Sequence, residues 1–127
     1  MQSTQQNLEA RETATLIASD KVEGTAVYRP DGERIGSIAR VMIDKLTGQT
    51  AYAVMSFGGF LGFGEDYYPL PWSLLKYDEN FDGYVVDITE EQLRGAPRQS
   101  SAEEGNWADR DWGRKVDDYY NVPPYLI

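Results

Sequence analysis

The amino-acid sequence predicts a mainly β domain, a small closed or partly open antiparallel β-barrel. Between residues 17 and 97, short segments that alternate apolar and polar side chains are separated by evenly spaced turn signals rich in glycine, proline and aspartate. The chain has 127 residues, which suits one such domain with terminal extensions. Because so small a domain has a thin core, closing the sheet would protect edges that would otherwise stay exposed.

Five segments have the pattern of β-strands. They cover residues 24–28, 34–44, 50–57, 67–70 and 83–88. In the second segment, Ile38 is out of phase with Val41 and Ile43, and the shift lies close to Gly36. This arrangement predicts a bulge or bend, which a small barrel needs in order to turn a corner. The side chains that we expect to be buried are Val27, Ile35, Ile38, Val41, Ile43, Val54, Leu70, Val85 and Ile88.

A short helical turn is predicted after the last strand. Thr89 and Gln92 have the spacing of a capping box, in which each side chain binds the backbone amide of the other residue. Gly95 is placed to form a left-handed C-terminal cap, and Pro97 prevents the helix from continuing.

The chain divides into three predicted regions. Residues 1–16 are a flexible lead-in, residues 17–97 are the β domain, and residues 98–127 are an acidic, aromatic tail. The content of aromatic residues distinguishes the tail from a disordered linker, since disordered segments are poor in them.

The spacing of apolar residues predicts a helix in this C-terminal tail. They recur at Ala108, Trp112, Val116 and Tyr119 or Tyr120. Gly113 would weaken the helix and Pro123-Pro124 would end it. An isolated helix this short is marginal in water, so we expect it to dock on a barrel, its own or that of a second copy, through Trp112 and Tyr120. The alternative is a flexible tail that orders only on its true partner.

The composition excludes several kinds of site. The chain has no cysteine and no histidine, which rules out disulfides, zinc–thiolate sites and histidine-dependent proton transfer. Its 12 basic and 21 acidic residues give a formal charge of −9, the wrong sign for binding phosphate backbones or anionic membranes. We therefore expect no direct nucleic-acid binding. No apolar segment approaches the roughly 20 residues that span a bilayer, and no secretory leader is visible, so we expect a cytoplasmic protein without membrane insertion.

The glycine-rich run at residues 58–64 is better interpreted as a contact loop than as a phosphate loop. A phosphate loop needs a lysine followed by serine or threonine, whereas this run leads into Glu65 and Asp66. Large exposed apolar side chains mark interaction sites. The candidate partner-binding residues in this loop and elsewhere are Phe60, Leu61, Phe63, Trp72, Trp112 and Tyr120.

Residues 78–83 reproduce the first half of a calcium loop, but Thr89 stands where the closing glutamate should be. The following residues alternate as a strand, so we interpret the motif as a polar turn. We expect no nucleotide, metal or redox cofactor. Residues 69–72 are predicted to form an edge strand, where proline is tolerated, with Trp72 as an anchor in the core or at its rim. The acidic pair Asp117-Asp118 is expected to lie on the solvated surface.

The segment from about residue 17 to residue 97 resembles the PRC-barrel domain family. The motifs that carry the resemblance lie at residues 27–28, 31–33, 35–38, 41–44, 47–48, 52–54, 83–87, 91–93 and 96–97. Its most specific part is the run GFLGFG at residues 59–64, which leads into YPLPW at residues 68–72.

The family includes the cytoplasmic domain of the photosynthetic reaction-centre H subunit, the C-terminal domain of a ribosome-maturation factor and many stand-alone bacterial proteins. The resemblance implies a small curved β-barrel that docks on proteins or ribonucleoprotein, and it implies no catalytic residues. We see neither the transmembrane helix of the H subunit nor the N-terminal domain of the maturation factor, so we expect neither specialised role.

Three functions are compatible with these observations. The favoured one is a non-catalytic module for protein interaction or assembly, which binds an unidentified protein or forms a homodimer. The alternative is a factor associated with ribosomes or RNA processing that acts through contacts with ribosomal protein, because the acidic charge disfavours RNA itself. A carboxylate-dependent enzyme ranks third, since it would need a pocket lined by carboxylates with raised pKa values.

Overall fold

The computed structural model describes residues 12–58, 65–99, 107 and 110–123. Most of the predicted lead-in, residues 1–11, lies outside this range. The described elements are a short helix α1 (Ser19–Val22), strands β1 (Ala26–Tyr28), β2 (Arg34–Ile43), β3 (Thr50–Gly58) and β4 (Glu65–Pro71), a 3-10 helix (Trp72–Leu74), strands β5 (Lys76–Asp78) and β6 (Gly83–Val85), and helices α2 (Glu90–Gly95) and α3 (Arg110–Tyr119).

The six strands form one mixed sheet in the order β4-β3-β2-β1-β6-β5. The predicted strands are present, and β5 is an additional strand that pairs with β6 in a hairpin. The expectation of a wholly antiparallel sheet is wrong at one pair, because β1 and β6 run parallel, with Val27 opposite Tyr84. Strand β6 of the β5–β6 hairpin pairs with β1, which places β5 at the edge of the sheet.

Backbone hydrogen bonds do not close this sheet within the described part of the chain, so a closed barrel stays a prediction. The two edge strands, β4 and β5, are nevertheless consecutive and are joined only by the 3-10 helix and Leu75. Pro69 and Pro71 lie in β4, as expected for an edge strand. The amide of Tyr67 donates to the carbonyl oxygen of Gln99 at 3.0 Å and that of Gln99 donates back at 2.8 Å, so this edge is partly covered.

The bend predicted near Gly36 is confirmed. The register of β2 shifts against β1 between Val27 and Tyr28, and against β3 between Ile38 and Arg40. A Cβ atom on Gly36 would lie 2.3 Å from the carbonyl oxygen of Ser56. Glycine is therefore required at this position, where the backbone of β3 leaves no room for a side chain on β2.

Most of the predicted core is buried, with three corrections. Val41 is only partly buried at the margin of the core. Ile43 is 51% exposed because β2 extends beyond the core there, after a register shift between Met42 and Ile43. Val85 is only partly buried, whereas Val86 is 1% exposed. A shift of one residue in a strand reverses which side chains face the core.

The two C-terminal helices begin and end through different backbone interactions. In α2, the Thr89 hydroxyl accepts from the amide of Gln92 at 3.0 Å and the Gln92 side chain accepts from the amide of Thr89 at 2.8 Å, which confirms the capping box. The predicted left-handed cap is wrong, because Gly95 is the last helical residue and Ala96 is extended. A Cβ atom on Gly95 would lie 3.0 Å from the hydroxyl of Tyr119, so glycine here permits the approach of α3.

Helix α3 ends before the prolines. Asn121 has a φ of 56°, and its amide donates to the carbonyl oxygen of Asp118 at 3.1 Å. The amide of Val122 donates to the carbonyl oxygen of Asp117 at 3.0 Å. These two bonds form a Schellman motif, so a left-handed asparagine ends the helix and not Pro123.

Two adjacent valines test which face of the last strand is buried. Val86→Ala should lower the free energy of unfolding by about 1–3 kcal/mol, because it leaves a cavity in the core. Val85→Ala is the matched control and should cost less than about 1 kcal/mol. Urea denaturation of both variants measures the difference, and equal losses would contradict this assignment of faces.

Candidate functional site

Helix α3 packs against residues of β3 and also lies close to β4. Its Val116 is fully buried in a cluster with Ala51 and Tyr52 of β3. Side chains at the rim of this cluster are partly buried, namely Met42, Trp107, Trp112 and Tyr120. Residues 51–55 of β3 are consequently buried on both faces of the sheet. Ala51 is the extra residue at the register shift between β2 and β3, and it lies in the same cluster as Tyr52. We call Ala51 and Tyr52 together the helix-binding face.

A tyrosine–carboxylate contact lies at the centre of the helix-binding face. The hydroxyl of Tyr52 lies 3.0 Å from each carboxylate oxygen of Asp117 and 3.3 Å from the carbonyl oxygen of Gly113, so the single proton has three acceptors within reach. A Cβ atom on Gly113 would lie 3.1 Å from this hydroxyl. The glycine that should weaken the helix is therefore placed where the helix approaches Tyr52 most closely.

Asp117 is 4% exposed, which corrects the expectation that it lies on the solvated surface. Its position relative to Gly113, Val116 and Tyr120 is the missed signal, because these four residues have the spacing of one helix face. Burial raises the pKa of Asp117 above its ordinary value of 3.8, and the negative charge of Asp118 adds to this effect, while the hydrogen bond from Tyr52 opposes it. Among the described residues, no cation pairs with Asp117 at ion-pair distance.

The same interface contains polar atoms that lack partners among the described residues. They are the indole nitrogens of Trp107 and Trp112 and the hydroxyl of Tyr120. The Trp107 ring packs against Tyr52 at 5.2 Å and edge-on against Trp112 at 6.2 Å, measured between ring centroids. Burial also raises the pKa of Tyr120, so its hydroxyl stays neutral. Each unpaired buried polar group costs about 1–3 kcal/mol. The docking of α3 is therefore less stable than it would be if these groups had hydrogen-bond partners.

A second candidate surface is the tip of the β2–β3 hairpin, residues 43–48. Leu46 is 92% exposed, and Ile43, three residues before it, is 51% exposed. The turn is ordered by its own hydrogen bonds, because the Asp44 carboxylate accepts from the amides of Leu46 at 2.9 Å and Thr47 at 3.0 Å. We call Ile43 and Leu46 the hairpin tip.

Of the candidate partner-binding residues from the sequence, the structure describes Trp72, Trp112 and Tyr120. Phe60, Leu61 and Phe63 lie outside the described residues. Trp72 begins the 3-10 helix and packs edge-on against Tyr84, with ring centroids 5.4 Å apart, so it is partly buried against the core. Trp112 and Tyr120 contact the sheet of their own chain. Leu46 was missed because a leucine in a turn carries no periodic signal.

The motif that resembles half a calcium loop forms the turn of the β5–β6 hairpin. The Asp78 carboxylate accepts from the amide of Asn80 at 2.8 Å, and the Asp82 carboxylate accepts from the hydroxyl of Tyr77 at 2.7 Å. The described part of the chain contains no group of three acidic side chains that could hold a metal ion. Calcium addition should therefore leave the melting temperature unchanged in both the wild type and Asp82→Ala; a rise that Asp82→Ala abolishes would contradict this.

The buried carboxylate should make stability depend on pH. Because the pKa of Asp117 is raised on folding, the folded state holds the proton more tightly than the unfolded state. The resulting stabilisation is fully present below the ordinary pKa and is lost as the pH rises through the raised pKa.

On going from about pH 7 to about pH 4, the wild type should therefore gain stability relative to Asp117→Asn, which cannot ionise. Urea unfolding at each pH measures this difference. Asp118→Asn changes the exposed neighbour and should show a smaller effect. If the difference in the free energy of unfolding between the wild type and Asp117→Asn does not change with pH, burial does not raise the pKa of Asp117.

Comparison with known proteins identifies the domain. The family model of the PRC-barrel domain matches residues 14–93, which is more than half of the chain. No curated protein matches the sequence significantly. Within the described residues, no helix has the length and apolar character needed to cross a membrane. The match covers the whole sheet and the start of α2, and this chain therefore belongs to the PRC-barrel domain family.

Proposed function

We propose that this protein is a non-catalytic module for protein interaction or assembly, and that the hairpin tip is its primary contact surface. Membership of the PRC-barrel family supports an interaction module in general terms. The exposure of Leu46 and Ile43 is the observation that carries the assignment to this surface. Neighbouring exposed apolar side chains on an ordered turn are typical of a binding site.

The order of the turn is what makes this surface suited to binding. Besides the two bonds to Asp44, the amide of Gly48 donates to the carbonyl oxygen of Asp44 at 2.7 Å and the amide of Gln49 donates to the Thr47 hydroxyl at 3.1 Å. A preformed turn loses little conformational entropy when it binds, so more of the gain from burying Leu46 remains as affinity.

The charge around the hairpin tip indicates the character of the partner. Lys45 is exposed between Ile43 and Leu46 in a chain whose overall formal charge is −9. A protein with an apolar pocket and an acidic rim would complement this local arrangement. Acidic surfaces are abundant in this chain, so a second copy is one candidate.

The placement of the perturbed carboxylate also favours binding over catalysis. Asp117 lies on the face of α3 that packs against the sheet, where the Tyr52 hydroxyl contacts it and a substrate would have to displace the helix. A general acid or base must instead be within reach of its substrate.

Substitutions at the hairpin tip test the proposed function. Ile43→Ser and Leu46→Ser should each reduce capture of a protein partner from lysate of the source organism by at least about tenfold, since each removes apolar contact area from the interface. Leu16→Ser is the matched control, because Leu16 is 72% exposed elsewhere on the surface, and it should capture as the wild type does.

The melting temperature of all three variants should stay close to that of the wild type, because the substituted side chains are exposed. Sedimentation equilibrium on the same proteins shows whether the captured partner is a second copy. Equal capture by the hairpin variants and the wild type would reject the hairpin tip as the contact surface.

A further inference from the structure

We infer that α3 is an exchangeable cover, and that the helix-binding face of one copy of this chain also binds α3 of a second copy. This inference does not rest on the proposed function, because it concerns the helix-binding face and not the hairpin tip. It follows from three observations. They are the contacts that the helix-binding face needs, the polar atoms that α3 leaves without hydrogen-bond partners, and the length of chain between the sheet and α3.

The helix-binding face places specific demands on whatever covers it. The hydroxyl of Tyr52 needs an acceptor once water is excluded, and α3 supplies the carboxylate of Asp117 and the carbonyl of Gly113. The helix must have a small residue beside that hydroxyl, where a Cβ would lie 3.1 Å away. It must also bury an apolar side chain next to Ala51, as Val116 does. An α3 helix from a second copy meets all these demands without any new interface.

The contact of α3 with its own sheet includes unfavourable terms. It buries a carboxylate that has no nearby cation among the described residues, together with the unpaired polar atoms of Trp107, Trp112 and Tyr120. Each such group subtracts from the stability of docking. Elements whose docking carries such costs open locally more readily than a fully satisfied core.

Once open, both surfaces must be covered again. Helix α3 has ten residues, and an isolated helix of that length is marginal in water. The face left behind exposes Tyr52 and Ala51. At high protein concentration, the α3 helix of another copy can cover this face and recover the same contacts.

The connection between the sheet and the helix is long enough for exchange. Gln99 is held to Tyr67 by two backbone hydrogen bonds, which fixes the start of the tether at the edge of β4. The seven residues between Gln99 and Trp107 include Ser100, Ser101 and Gly105 and can extend up to about 25 Å. This length sets how far the helix could reach from the edge of β4.

A peptide in trans tests the exchange. The probe is a fluorescent peptide of residues 107–123, titrated against three full-length proteins: the wild type, Val116→Glu and Lys115→Glu. Val116→Glu buries a charge and should release the tethered helix, whereas Lys115→Glu places the same side chain at the adjacent exposed position. The peptide should bind Val116→Glu at least about tenfold more tightly than it binds the other two, because their tethered helix competes at high effective concentration.

Two further peptides show whether the site selects this helix. A peptide that itself carries Val116→Glu and a scrambled peptide should both fail to bind. Equal binding of the scrambled peptide would show that the face accepts unrelated partners, and no binding of the native peptide to folded Val116→Glu would show that the face does not accept a second helix. Either result overturns the inference.

If circular dichroism shows that Val116→Glu does not fold, mixing of wild-type copies tests the inference instead. Tagged and untagged wild-type proteins are incubated together at high concentration and purified through the tag. Mixed dimers should form, and they should form equally well when both copies carry Leu46→Ser, which separates helix exchange from contact through the hairpin tip. Recovery of tagged protein alone, or loss of mixing with Leu46→Ser, overturns the inference.

Discussion

Strand β3 is buried on both faces, and the arrangement of the other elements depends on covering each of them. On the inner face, Ala53 and Met55 pack into the main core that the curved sheet encloses. On the outer face, Tyr52 would be exposed without α3, which supplies Val116 as its apolar contact. A sheet of this size provides one core, so the second face can be buried only by an element from outside the sheet.

The contact between Tyr52 and Asp117 determines how that element binds. A wholly apolar helix could slide along the face with little loss, but the Tyr52 hydroxyl must find an acceptor and Gly113 must lie beside it. This polar contact therefore selects one register of α3 at some cost in stability, as a buried polar residue does at a coiled-coil interface. Because burial raises the pKa of Asp117, the cost is greatest when the carboxylate is ionised.

The sequence predicted correctly those features that depend on only a few neighbouring residues. The capping box at Thr89, the bend at Gly36 and the edge position of Pro69 each follow from a few neighbouring residues. The parallel pairing of β1 with β6 could not be predicted, because it depends on how a distant hairpin packs. Strand β5 has three residues within a turn-rich segment and carries too short a pattern to detect. The burial of Asp117 was detectable, but only by placing it on the helix face that contains Val116.

The two surfaces differ in when they are accessible. The hairpin tip is exposed in this structure and held in place by its own turn, so a partner can bind it directly. The helix-binding face is accessible only when α3 leaves. The family match ends at residue 93 and α3 begins at Arg110, so the cover of β3 comes from outside the matched domain. Helix α3 comes from outside the domain, is joined to it by a polar segment and docks over unpaired polar atoms. In these respects it resembles a bound ligand. Its occupancy of the helix-binding face should therefore respond to concentration and pH as a ligand's does.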